Sequence, residues 1–566
     1  MAKEMQKTLR VALWAMVLVP GMAGAQPAQQ RDPNEQIMRE QTEKLRDELL
    51  RQAPADIQFE QPALAGQDVQ GFPADLPVSG PVFPIHTMRQ EGDQLLSEQD
   101  FRRVAAPFLG QSLGAAHINV LLERVSRALV AAGYTTSRAY VGNQSLSEGT
   151  LVITVVAGRI EQLIYDGKAL DPGLHDQLGV RLAMPMRQGD VLRLRDIEQA
   201  VDQLNRLRRN NVQVQIRPGT QTGGSIVEFL NRPQDGARYS ATLDNQGSAA
   251  TGKLRVQLAM ERGNTLGLMD ALSLGLTTSA DTNALYGTLA VPLGYGTLAG
   301  MASISEYQNL VGDTALVYGT SRSYSLSYNR LVDRDQNSKT AFDISLTRRT
   351  SSRMINNASL TPQAQAVLRL GLNRLTRFQA GAAVGQWTVD AGVSHGLAGL
   401  GSDRDPADLP PEAARYQFTK LEASATLERP ITSAVVWRSR AVGQWSRRPL
   451  YSSEQIFAGG VGSVRGFAES AQGGDRGAYW RNEWALQGLP ALLGGHVRYE
   501  PYLFLDAARV TTLSDHAGHH LASTGAGVRA AYAKGYAELI LGKPLRQPPG
   551  LPPGGWRVNF SAAYQF

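Results

Sequence analysis

The last eleven residues of the chain alternate without a break. Trp556, Val558, Phe560, Ala562, Tyr564 and Phe566 share one parity, and Arg557, Asn559, Ser561, Ala563 and Gln565 share the other. A period of two marks a strand with two unlike faces. A strand tilted across a bilayer needs about 9–11 residues. Aromatic residues at both ends of this segment suit the two interfacial belts of a membrane. A strand of a soluble sandwich alternates too, but rarely at this length with aromatics at each end. Short alternating segments of the same kind follow one another from residue 238 onward, with Gly and Ser between them and almost no helical period. At about 20 residues for each strand with its connection, residues 238–566 have room for roughly 16 strands. Lipid forces such a sheet to close, because an open edge would leave unpaired backbone groups in hydrocarbon.

Composition agrees with this reading. The mean hydropathy is −0.24, as for a soluble protein, but barrel strands hide their lipid-facing half in any average. No cysteine is present among the 566 residues, which excludes disulfide frameworks and thiolate metal sites. A net charge of +6 is small for this length and its charges are interspersed, so no nucleic-acid surface is indicated.

The start of the chain reads as an export signal. Lys3, Lys7 and Arg10 precede an apolar run from Val11 to Pro20, and Ala23-Gly24-Ala25 is a cleavage pattern. Residues 1–25 are expected to be a signal peptide. Residues 26–51 contain one amphipathic helix, with Asp32 and Pro33 at its start and Ile37, Met38, Leu45 and Leu49 on one side. Residues 52–81, rich in Ala, Pro, Gly and Gln, read as a linker. A barrel of 16 strands has a lumen too wide for side chains to fill, and the helix at 26–51 is the expected plug.

Two α/β units lie between the linker and the barrel. In 82–157, Ile118, Leu121, Leu122, Val125 and Leu129 recur at helical spacing, and Leu151, Ile153 and Val155 alternate. In 158–232, Ile197, Ala200, Val201 and Leu204 make a helix, and Val212, Val214 and Ile216 make a strand. Each unit is expected to run strand, helix, helix, strand, strand.

Several segments resemble the two-partner secretion transporters, of the haemolysin secretion and activation type. GYTTSRAY (133–140) and LVITVVAGRI (151–160) look like that family's first polypeptide-transport-associated (POTRA) domain. LRDIEQAVDQLNRL (194–207) with VQVQIRPG (212–219) is similar to its second. DNQG (244–247) and GNTLGLMD (263–270) resemble its first barrel hairpin, and GGVGSVRGF (459–467) with FLD (504–506) is the most specific match. The resemblance implies a transmembrane β-barrel of about 16 antiparallel strands, preceded by two small α/β POTRA domains and an N-terminal plug helix.

It also implies a site. The loop carrying Val464, Arg465, Gly466 and Phe467, near 450–480, folds inward through the barrel. Arg465 meets Asp506 on the inner wall, Gly466 permits a sharp loop tip, and Phe467 packs beside it. On the second motif Phe504 and Asp506 share one parity, which places Asp506 toward the lumen. A guanidinium in a confined lumen needs a planar acceptor, and a carboxylate supplies two oxygens.

The function implied is translocation of a dedicated large exoprotein, adhesin or haemolysin-like, from periplasm to cell surface. The barrel would sit in the outer membrane with the POTRA domains in the periplasm. The partners implied are the exoprotein bound through those domains, the lipid bilayer, and the barrel assembly machinery acting on the C-terminal strand that ends at Phe566. Assembly of other outer-membrane proteins is the alternative, though insertases usually carry more POTRA domains; a passive porin has no use for two. No cofactor or catalytic group is expected. GQSLG (110–114) and GAGVRA (525–530) match enzyme motifs without the strand and helix setting those need. Asp515, His516, His519 and His520 read as a polar loop.

Overall fold

In the computed structural model, residues 80–566 are described with short internal gaps, preceded by 71–74, Leu76, the strand Ile57–Phe59 and Thr42. The signal peptide expected at 1–25 lies outside the described residues. Of the expected plug helix, Thr42 alone is described; it is helical.

The first α/β domain packs two helices, α1 (Glu98–Ala105) and α2 (Ala115–Ala131), on a sheet ordered Thr87–Gly92, Thr150–Val156, Arg138–Tyr140. Ser97 caps α1 by accepting from the Asp100 backbone N–H at 3.1 Å. Leu121, Val125 and Leu129 of α2 meet Leu151, Ile153 and Val155 in a closed core. That is the outcome of setting a 3.6 period against a period of two.

The second domain carries α3 (Leu178–Ala183) and α4 (Leu194–Asn205) on a sheet of Gln213–Pro218, Gly224–Leu230, Arg159–Tyr165 and the short Lys168–Ala169. The two domains join without slack. Gly133 O accepts from the Leu194 N–H at 2.9 Å. The buried Ser137 hydroxyl accepts from Gly158 N at 2.9 Å, and Asp93 receives the Ala157 N–H at 2.8 Å. The GYTTSRAY segment is therefore a joint as well as a turn.

One feature departs from the linker expected at 52–81. Ile57–Phe59 is a strand that pairs in parallel with Gln213–Pro218, Ile57 opposite Val214 and Phe59 opposite Ile216. The composition of 52–81 concealed this, since three residues are too few to raise an alternating signal.

Sixteen antiparallel strands close the barrel. They are β1 (Ala237–Asp244), β2 (Arg255–Gly263), β3 (Ala271–Ser279), β4 (Thr282–Leu293), β5 (Gly296–Val311), β6 (Ala315–Arg334), β7 (Ser338–Ile355) and β8 (Gln363–Ala380). The second half comprises β9 (Ala383–Gly396), β10 (Thr419–Pro430), β11 (Val435–Ser446), β12 (Arg476–Leu486), β13 (Val497–Thr511), β14 (Gly518–Tyr532), β15 (Gly535–Arg546) and β16 (Arg557–Gln565). β16 returns to β1, with Tyr564 opposite Ala241. Along β16, Trp556, Val558 and Tyr564 are exposed on the outer surface, whereas Asn559 is buried inside. DNQG sits where β1 turns toward β2, at the end far from the α/β domains; GNTLGLMD forms the turn between β2 and β3 at the near end. No helix among the described residues is long and apolar enough to cross a membrane.

The second domain is fixed to the near end of the barrel. Its helix α4 buries Ile197, Ala200, Val201 and Leu204 in the domain core. The other face of α4 meets two barrel turns. Gln203 donates to Gly294 O at 2.9 Å and Gly296 O at 2.8 Å. Asp202 pairs with Lys339 at 2.6 Å and with Arg334, which also bonds Glu198 at 2.8 Å; Tyr295 donates to Asp196. Gly179 of α3 lies so close to the β2–β3 turn that a Cβ would come within 2.3 Å of Gly267 O.

Candidate functional site

The connection between β11 and β12 does not extend outward from the barrel but turns back into it. The loop expected near 450–480 spans 447–475, and residues 476–480 already belong to β12. Its base is fixed by charge. Glu454 pairs with the buried Lys420 of β10 at 2.9 Å and with Arg349 of β7 at 3.5 Å. Asp475 accepts the Leu450 and Leu513 N–H groups, each at 2.7 Å. A small hairpin of Ile456–Ala458 with Gln472–Gly474 carries the chain inward. Gly459 and Gly460 then turn it at φ of 117° and 90°, values that side-chain-bearing residues rarely adopt. Val464 and Phe467 are buried with Ile456 and Ala458 against Ala508 and Val510 of β13 and Leu521 of β14.

Arg465 is held on every side. It is 1% exposed, the largest of the fully buried side chains. Its Nε donates to Asp506 Oδ2 at 2.9 Å and its Nη2 to Oδ1 at 2.8 Å, a bidentate fork. Its backbone N–H adds a third bond to Asp506 at 3.1 Å. Nη1 donates to Glu483 Oε2 at 2.9 Å and Nη2 to Asn482 O at 3.1 Å. The guanidinium also lies 4.0 Å from the centre of the Phe504 ring, a cation–π contact that strengthens away from water. Phe504 and Asp506 are both buried on the inner face of β13.

Gly466 lies in the sharp tip expected of it, a turn closed by the Phe467 N–H on Val464 O at 3.1 Å, but the turn is not what requires a glycine. Its φ is not in the left-handed region. Instead a Cβ there would come within 2.7 Å of Ser523 Cβ and 3.0 Å of the Lys543 carbonyl carbon. The wall yields a glycine in return, because a Cβ on Gly542 would lie 3.1 Å from Gly466 Cα. Loop and wall thus meet backbone to backbone.

The charge does not end at Arg465. Glu483 also receives Arg529 of β14, at 2.8 Å through Nη2. Arg529 bonds Glu500 at 3.0 Å and Glu538 at 2.9 Å, and Arg438 of β11 bonds Glu500 at 2.6 Å. Tyr502 lies under Arg529, 4.3 Å from its guanidinium to the ring centre, and donates its hydroxyl to Glu538 at 2.8 Å. A belt of alternating sign therefore runs along the inner wall from β11 to β15, and Arg465 plugs into it from the loop. Glu483, Arg529 and Arg438 had no motif to mark them. Parity could have found Glu483: in RGAYWRNEWAL, Arg481 and Glu483 alternate with Trp480 and Trp484, whose rings face outward.

A cavity of about 740 Å³ remains in the lumen, lined by Arg349, Arg369, Asp390, Glu422 and Arg481, by loop residues including Gly462, and by Thr42. The arrangement is a tether and a charged passage. Ser112 of GQSLG lies in a three-residue strand, GAGVRA is part of β14, and no group of side chains among the described residues could hold a metal ion.

Comparison with known proteins agrees with this architecture. Residues 223–530 match the family described as haemolysin secretion/activation protein ShlB/FhaC/HecB. Residues 83–158 match a ShlB-type POTRA domain and 159–218 a POTRA domain. The outer membrane transporter CdiB of Dickeya dadantii (strain 3937) is 31% identical over 505 residues, 86% of this chain and 88% of its own. That of Escherichia coli O6:K15:H31 (strain 536 / UPEC) is 31% identical over 550 residues, 92% of this chain and 88% of its own. The solved structure of CdiB from Escherichia coli superposes with a TM-score of 0.82 at 26% identity, over 96% of this chain and 100% of its own.

Removing one partner from a buried pair leaves a charge uncompensated, at a cost of about 3–5 kcal/mol. Glu483→Gln should therefore loosen the loop while sparing the barrel. A Val464→Cys reporter in this cysteine-free chain reads it. With Glu483 present the buried thiol resists an impermeant maleimide added to cells; in the Glu483→Gln background it should label.

Proposed function

We propose a gating mechanism from one premise: the chain belongs to the haemolysin secretion/activation family and is an outer-membrane transporter that carries a partner exoprotein from the periplasm to the cell surface. Its POTRA domains lie in the periplasm and receive that partner. The finer reading is that the partner is one dedicated, large, adhesin-like or cytolysin-like polypeptide. No catalytic step enters the mechanism.

The resting lumen is closed by two elements, the helix at 26–51 and the loop at 447–475. The Arg465–Asp506 fork carries the reading for the loop, because a buried bidentate ion pair holds one conformation where a solvated loop would sample many. During transport the helix leaves, and the partner passes as an extended chain along the charged face left between the loop and the far wall. Lumen walls of mixed sign suit such a passenger, since acidic and basic stretches both find counter-charges and neither is held for long. Folding of the partner outside supplies direction. Insertion of the barrel itself runs through the barrel assembly machinery, which takes the C-terminal strand ending at Phe566.

Docking by strand addition to a sheet edge is directed to the first POTRA domain. In the second, the Gln213–Pro218 edge is taken by Ile57–Phe59. In the first, the Arg138–Tyr140 edge is partly closed, because the Ala139 N–H donates to Ser126 Oγ at 3.1 Å. Thr87–Gly92 pairs with Thr150–Val156 alone among the described residues and exposes Thr87, Arg89 and Glu91. An extended partner segment fits along it.

Arg465→Glu places two carboxylates against a third and should abolish secretion of the partner to the medium, while the barrel still inserts and shows heat-dependent migration on a gel. Wild-type export by that variant would remove the gating role. Deletion of residues 82–157 should stop the partner's signal region from being pulled down by the transporter; undiminished capture would rule out docking on the first domain.

A further inference from the structure

The periplasmic turn between β12 and β13 is longer than the other turns at this end and more apolar. Residues 487–496 read QGLPALLGGH, with no Asp, Glu, Lys or Arg. Leu489, Leu492 and Leu493 are all exposed, Leu493 at 77% the most exposed large hydrophobic side chain in the described structure. The turns at 264–270, 294–295 and 335–337 lie against the second POTRA domain, those at 381–382 and 533–534 are two residues long, and that at 431–434 has four residues and one exposed large apolar side chain, Ile431. Three leucines open to water would be an unexplained cost, since large apolar groups left together on a surface mark a contact.

The register says what lies opposite them. Leu492 and Val497 form an antiparallel bridge, and residues directly opposite in such a pair point to the same side. Val497 has the parity of Leu503 and Leu505, which face the lipid from β13. Val497 in turn lies opposite Tyr532, Tyr532 opposite Gly535, and Gly535 opposite Tyr564. One row therefore runs around the lower rim from Leu492 to Tyr564, all of it on the outer face. Tyr532, Tyr564 and the nearby Tyr239 are exposed, and exposed tyrosines on the outer face at this end of a barrel form the belt that sits at lipid headgroups. Above the turn, Trp484 and Leu486 continue the same face up β12.

We propose that the 487–496 turn is a lipid anchor, seated in the headgroup and upper acyl region of the periplasmic leaflet. Its leucines extend the apolar band where the aromatic belt leaves off. Gly488, Gly494 and Gly495, all at positive φ, let the turn fold back toward the bilayer without a side-chain clash. The occupant is lipid and not the passenger polypeptide, because the row that fixes Leu492 faces outward and joins the membrane belt, away from the lumen. The strands it holds are β12 and β13, which carry Glu483 and Asp506.

The test uses the full chain, which has no cysteine of its own. Leu493→Cys is labelled with an environment-sensitive NBD fluorophore and the protein is placed in phosphatidylcholine nanodiscs, so that both faces are open to solutes. Leu493 touches none of the loop or wall groups described above, and the substitution keeps the site exposed. Blue-shifted emission, quenched several-fold more by doxyl-labelled lipids than by aqueous iodide, is the expected result. Water-like emission quenched mainly by iodide would overturn the proposal, as would protection from both quenchers, which would mean that the turn packs on protein.

Discussion

A guanidinium out of water needs acceptors for its donors and a counter-charge for itself, and Arg465 finds both in one place. Asp506 supplies two oxygens to the fork and takes the backbone N–H as well. The carboxylate cannot be moved without leaving a buried cation, nor the arginine without leaving a buried anion. The loop is therefore held by a contact that is costly to break halfway. Glu483 ties the pair to Arg529 and so to the belt on β11 to β15. A loop that would cost entropy to order is fixed to the charged belt of the wall.

The remainder of the architecture supplies what that contact needs. Closure of sixteen strands by pairing of β16 with β1 gives a lumen shielded from lipid, in which a charge network can persist. Glycines at 466 and 542 let loop and wall approach to backbone contact. Lys420 and Arg349 hold the loop base through Glu454. At the periplasmic end, α4 uses one face for its domain core and the other for barrel turns, so the receiving domain has a set position over the lumen. Asp202 stands where both requirements meet: it is buried, and two barrel cations satisfy it.

Much of this was written in the chain and some was not. The barrel could be read from period-two segments, because lipid on one side and a wet lumen on the other enforce alternation on every strand. Arg465 and Asp506 lay in two short motifs with the right parity. The belt partners were less visible, since Glu483, Arg529 and Glu538 are single charges on strands whose pairing depends on register across several neighbours. The strand Ile57–Phe59 was hidden by its brevity. Gly466 was read as a turn residue and does lie in a turn, but its close approach to the wall was hidden, because a sequence can mark a glycine without showing which of the two requires it. Nothing in the polar residues of α4 distinguishes a face that meets barrel turns from a solvated one.

Single-channel conductance across planar bilayers tests the tether most directly. If one contact holds the loop in the lumen, Arg465→Ala and Asp506→Ala should each raise the open conductance by a similar factor, and the double variant should go no further than either alone. Independent, additive increases in the double variant, or conductance unchanged from the parent in both singles, would contradict a tether built on that pair.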